Sequence, residues 1–127
     1  FYLTTREFFA LVHRRLEPGG VVMVNVGHPE RSDRLEKVLA ATMGSVFRTV
    51  LRDPSQRVNT ILLASDAPIS SGALASAATP PELAPLARAT AARLAPALTG
   101  GEVYTDDVAP VEWLIDESIV KVAAEGG

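Results

Sequence analysis

The chain has 127 residues, 47% of them hydrophobic, with no cysteine and a formal net charge of −3. That length suits one domain with a real core, and the composition excludes a disordered polymer, a disulfide framework, a thiolate metal site and a cysteine nucleophile. An acidic balance without a basic block argues against nucleic-acid binding, and no run approaches the roughly 18 to 20 apolar residues of a membrane span. The expectation is a soluble, cytoplasmic protein compatible with a cationic small molecule. The first residue is Phe1 rather than methionine, so a fragment or processed product is expected.

Thr4 to Leu16 reads as a helix: Thr4 is a capping residue with Glu7 three positions on, and Phe8, Val12 and Leu16 recur at helical spacing beside Phe9 and Leu11. His13 falls on its polar side as a surface residue. Pro18-Gly19-Gly20 forces a tight turn, because proline cannot continue a helix and glycine permits the angles of a reversal. Val21 to Val26 is almost wholly apolar and reads as a parallel strand covered on both faces. Ligands in open α/β sheets sit outside strand carboxyl ends, which places Asn25, Gly27 and His28 at the rim.

Ser32 and Asp33 open a second helix with Leu35, Val38, Leu39, Thr42 and Met43 as its stripe, ended by Gly44. Val46 to Leu51 and Val58 to Ser65 read as an antiparallel pair joined by a turn over Asp53 to Arg57, with the first strand at the sheet edge and the second more deeply buried. Residues 66–79 shift to Ala, Ser, Gly and Pro without periodicity and read as a flexible connection. Thr79-Pro80-Pro81-Glu82 reads as a capping box before a helix that buries Leu83, Leu86, Ala87, Thr90 and Leu94, with Pro85 as a candidate kink. Thr99-Gly100-Gly101 stops it. Residues 102–127 carry Tyr104-Thr105-Asp106-Asp107 and a last helix from Pro110 with Val111, Leu114, Ile115, Ile119 and Val122 inward.

Three of these segments resemble the C-terminal half of the spermidine synthase-like (polyamine aminopropyltransferase) family. Phe1-Tyr2-Leu3-Thr4-Thr5-Arg6-Glu7-Phe8-Phe9 is similar to the family's segment past its fourth strand. Leu16-Glu17-Pro18-Gly19-Gly20 with Val21 to Val26 is similar to its helix, turn and fifth strand, a pattern shared broadly with methyltransferases. Tyr104-Thr105-Asp106-Asp107-Val108-Ala109-Pro110-Val111-Glu112 looks like its Thr-Asp-Asp-x-x-Pro-Val ending. The resemblance implies a single partial α/β domain over 1–127, the C-terminal half of a Rossmann-like, class I S-adenosylmethionine-dependent methyltransferase fold. It also implies a transferase whose co-substrate is decarboxylated S-adenosylmethionine. The family's glycine-rich cofactor turn and its acidic general-base segment would lie upstream of Phe1, and no Gly-x-Gly occurs in this chain. The chain is therefore expected to hold no cofactor and to be inactive alone.

Asp106, Asp107 and Glu112, with Tyr104 and Trp113 beside them, form the densest acidic and aromatic group. Carboxylates spaced between aromatic walls suit a long cationic amine, while the same acids equally suit the start of a helix. Asn25 is placed either to bond substrate or to fasten its loop. His28 lacks companions at metal-ligand spacing, so no metal site is expected. Two further readings stay open: part of a methyltransferase with another acceptor, or a non-catalytic module whose sheet edge pairs with a second copy as a homodimer.

Overall fold

A computed structural model describes residues 2–76, 80–108 and 120. After a 3-10 turn at Tyr2–Thr4, the elements are α1 (Arg6–His13), β1 (Val22–Gly27), α2 (Arg34–Gly44), β2 (Thr49–Gln56), β3 (Asn59–Ser65), α3 (Ser71–Ser76), α4 (Ala84–Arg93) and β4 (Ala95–Pro96). The strands form one antiparallel sheet in the order β1-β3-β2-β4. The last helix expected from Pro110, its apolar residues, Trp113 and the cap at Thr79 lie outside the described residues.

β1 departs from the parallel strand expected of an apolar run. It pairs antiparallel with β3, Val22 opposite Ala64 and Val26 opposite Thr60. Nor is it covered twice: Val22, Val24 and Val26 turn to the core while Met23, between them, is 63% exposed. Apolar composition says that a strand can be buried on both faces; whether a second layer is there to bury it depends on the rest of the chain.

The core lies between one sheet face and the layer of α1 and α2. Phe9, Leu39, Ala40, Met43 and Phe47 pack on Val26, Leu62 and Ala64. The α1 cap falls one residue later than expected. Thr5, not Thr4, is in extended geometry and accepts the Phe8 N–H at 3.3 Å. The antiparallel pair forms as read, with β3 central, but β2 continues through Pro54 to Gln56 by means of an irregularity after Asp53, and the turn tightens to Arg57-Val58. Proline is tolerated there because a bulge releases its ladder position. Among the described residues, the two-residue β4 lies beyond β2.

Pro18-Gly19-Gly20 makes the tight turn that its residues dictate: Gly19 has φ +79°, and the Gly20 N–H donates to the Glu17 carbonyl at 2.8 Å. The Ser65 hydroxyl ties this turn to the end of β3 by donating to the Gly20 carbonyl at 2.8 Å.

Two expectations fail on the outer side of the sheet. Within the stretch read as an unstructured connection, Ser71–Ser76 form α3, which packs on α4. α4 in turn buries no residue, and Leu83 and Leu86 are exposed. Pro85 sits in its first turn, where a missing N–H costs nothing, and so does not kink it.

After β4 the chain crosses α2 as an extended strap, residues 97–108. Gly101 lies so close to α2 that a Cβ would stand 2.0 Å from the Lys37 carbonyl oxygen. Gly101→Ala is therefore expected to lower stability by about 2 kcal/mol in chemical denaturation, through forced displacement of backbone. Gly72→Ala in α3, where nothing lies within 4 Å, should be neutral or stabilising by up to about 1 kcal/mol.

Candidate functional site

The strap brings together the two ends of the described chain. Tyr104 is buried, and its N–H donates to the Thr42 hydroxyl of α2 at 3.0 Å. Its carbonyl accepts the Arg6 N–H at 2.8 Å, one of the N–H groups that a helix start leaves without an internal partner. Thr105 and Val108 then exchange backbone hydrogen bonds of 3.2 and 3.0 Å, which closes a turn with Asp106 and Asp107 at its tip.

That turn is pinned to the start of α1 by a reciprocal pair of contacts. The Thr5 hydroxyl donates to Asp106 Oδ1 at 2.6 Å across 101 positions of sequence, and the Asp106 N–H donates to Glu7 Oε2 at 3.0 Å. Thr5 thus caps α1 and holds Asp106 with one buried hydroxyl. Glu7 is held below the usual carboxylate range by its own backbone N–H first, then by the Asp106 N–H and the Arg6 guanidinium, against a smaller opposing effect of burial. Tyr104 is pushed upward by burial.

Asp106 and Asp107 are exposed at this corner, with the half-exposed Glu7 beside Asp106. Tyr104 shares the corner's backbone but presents no open wall, because its ring is sealed in the core. Glu112 lies outside the described residues. Asn25 is elsewhere: it points away from α1 and α2, on the same sheet face as Met23, and accepts from Asn59 Nδ2 at 2.7 Å. The structure therefore gathers Asp106 and Asp107, founds them on Tyr104, and leaves Asn25 across the sheet as a strand fastener.

His28 follows directly on the carboxyl end of β1, and both of its ring nitrogens have partners there. Its Nδ1 lies 3.0 Å from the Pro29 carbonyl oxygen and its Nε2 3.2 Å from Thr60 Oγ1. Nearby stands a charge pair missed in the sequence. Glu36 is fully buried on α2 and receives Arg52 Nε at 2.5 Å and Nη2 at 3.1 Å, with His28 Nε2 4.0 Å from Glu36 Oε2. Spacing alone held the signal, since Glu36, Ala40 and Met43 share one helix face. Arg52 follows from the pleat: Val50 and Arg52 alternate with Leu51, so the guanidinium points to the helices rather than to solvent. His13 Nε2 lies 2.6 Å from Asp66 Oδ2, and this hydrogen bond pulls Asp66 below the usual range. Among the described residues no three His, Asp or Glu gather as a metal-ligand set, and no helix is long and apolar enough to cross a membrane.

No protein-family profile and no curated protein matches the chain. Among solved structures it is similar to a probable spermidine synthase from Corynebacterium glutamicum ATCC 13032, at 39% identity and a TM-score of 0.47, over 54% of this chain. The match spans 27% of that protein's length.

Breaking the buried pair should expose its cost. Arg52→Met is expected to lose about 3 kcal/mol in denaturant titration because Glu36 is left unpaired, whereas Arg52→Met with Glu36→Met should lose less than the single variant. The acid limb has a definite sign. Glu7 and Asp66 are depressed in the folded state, so their stabilisation is present at neutral pH and is lost as pH falls through the depressed values. Thermal melts across that range should show a shallower acid decline for Glu7→Gln with Asp66→Asn than for the parent chain.

Proposed function

We propose that this chain is the C-terminal part of a spermidine synthase-like aminopropyltransferase and supplies part of the pocket for its amine acceptor. The observation that carries the reading is the junction of Thr5 and Glu7 with Asp106. The two most characteristic motif segments of the sequence, the Leu-Thr-x-x-Glu-Phe opening and the Thr-Asp-Asp ending, meet there through hydrogen bonds of 2.6 and 3.0 Å. Motifs that converge in space from opposite ends of a chain have a common local task.

The chemistry available at that corner is cation binding. Asp106 and Asp107 offer two exposed carboxylates on a turn that the buried Tyr104 and the Thr5 hydroxyl hold in place, so little ordering remains to be done when an ammonium group arrives. Glu112 of the same acidic segment is assigned the next carboxylate along an extended di- or triamine. Decarboxylated S-adenosylmethionine would supply the electrophilic aminopropyl carbon from the other half of the fold. The residues here bind and align the acceptor so that its neutral amine nitrogen faces that carbon. In the family that these motifs resemble, removal of the amine proton and the cradle for the nucleoside fall to the other half of the domain.

Calorimetric titration tests this reading. Putrescine and spermidine are expected to bind the 127-residue chain weakly, more weakly still as salt is raised, with binding lost in Asp106→Asn with Asp107→Asn. Asp107→Asn alone leaves the Thr5 contact intact and should weaken binding without changing stability. Tight binding of decarboxylated S-adenosylmethionine or S-adenosylmethionine by the chain alone would overturn the half-site assignment, and absence of amine binding would turn the reading to a non-catalytic interaction module.

A further inference from the structure

The outer face of the sheet carries two cross-strand rows. Met23, Leu63 and Leu51 stand side by side in one, and Asn25, Ile61 and Asp53 in the next. The unit lying over β2 on this side is α4 with α3 packed on it. Its attachment is unusual. α4 buries none of its residues completely: Leu83 and Leu86 are 50% and 61% exposed, and the side toward the sheet is a half-buried row of small residues, Ala84, Ala87 and Ala91. The strong polar tie beside that shallow packing is a bidentate ion pair: Arg93 Nε donates to Asp53 Oδ1 at 2.7 Å and Arg93 Nη2 to Asp53 Oδ2 at 2.9 Å. Asp53 is only 4% exposed beneath it, whereas the Arg93 side chain keeps about a third of its surface in water.

We propose that α3 and α4 form a hinged cover over the outer face of the sheet, latched by Arg93 and Asp53. The hinge lies where the helix ends: Leu94 leaves helical geometry at φ −59°, ψ 125°, and Ala95 and Pro96 are tied at once to Arg52 and Leu51 of β2. Everything after Leu94 therefore stays on the sheet while α4 swings. The energetics permit it. Opening forfeits no buried side chain of α4, and both partners of the ion pair become hydrated, so the unfavourable state of one stranded buried charge does not arise. A ten-residue helix detached from its support is too short to persist in water, so the open state also frays. Opening uncovers Asp53 and extends the apolar and amide surface from Met23 and Asn25 across Ile61 toward β2, making the latch a control on access to that face.

Hydrogen exchange on the full chain, read by mass spectrometry, tests the cover. In Arg93→Met the amides of residues 84–93 are expected to exchange about tenfold faster, the scale of one partly solvated charge-assisted contact, while those of β3 and α2 keep their rates. The unaltered chain should show the same selective acceleration when sodium chloride is raised to high concentration, which avoids any question of whether a variant folds. Unchanged exchange in α4 under both conditions would overturn the latch. Equal acceleration in α4 and β3 would overturn the hinge, because the pair would then belong to the global fold.

Discussion

The structure depends on a close approach of backbone to backbone, where the strap passes α2 at Gly101. No side chain fits between the strap and the Lys37 carbonyl, so only glycine lets the chain stay against the helix. From that passage follow the plug of Tyr104, the bond of its N–H to Thr42, and the arrival of Asp106 at the start of α1. A strap held farther out would leave the Thr42 hydroxyl and the first N–H groups of α1 without these partners. The same crossing covers α2 and so completes the enclosure of the core residues beneath it.

The two sides of the sheet are stabilised by different physics. Beneath α1 and α2 the faces are apolar and interlocked, and the one charge pair placed there, Glu36 with Arg52, is buried with both guanidinium contacts made. Over the outer face, among the described residues, α4 packs shallowly through small residues and adds a partly solvated ion pair. Burial of area is hard to undo locally, whereas an ion pair open to water exchanges one set of partners for another at small cost. The acidic corner at Asp106 and Asp107 stands on the first, rigid side.

Much of the local structure was legible in the residues themselves. Pro18-Gly19-Gly20 dictated a turn, the stripe of Leu35, Val38, Leu39, Thr42 and Met43 dictated a helix, and the two β-branched runs around Arg57 dictated a hairpin. Legibility failed where partners were distant. Nothing local marks the carboxylate of Glu36 as buried, because its guanidinium is 16 positions away. The leucines of α4 looked buried because helical spacing reports a face and not what lies against it. Of the candidate site, the sequence singled out Asp106 and Asp107 by their density of charge, but it could not show that Thr5 and Glu7 hold them or that Asn25 faces the other way.

By itself the sequence determined α1, the strand after it, α2 and the β2–β3 hairpin, since turn chemistry and hydrophobic period act over a few residues. It determined also the resemblance carried by its opening and ending motifs. Tertiary structure alone decided that β1 runs antiparallel to its neighbour, that the core lies on one sheet face while Arg93 meets Asp53 on the other, and that motifs 101 positions apart share a corner. The physical reason is range: propensity and pattern are properties of a segment, whereas strand direction, burial and long-range hydrogen bonds exist only once two distant segments occupy the same space.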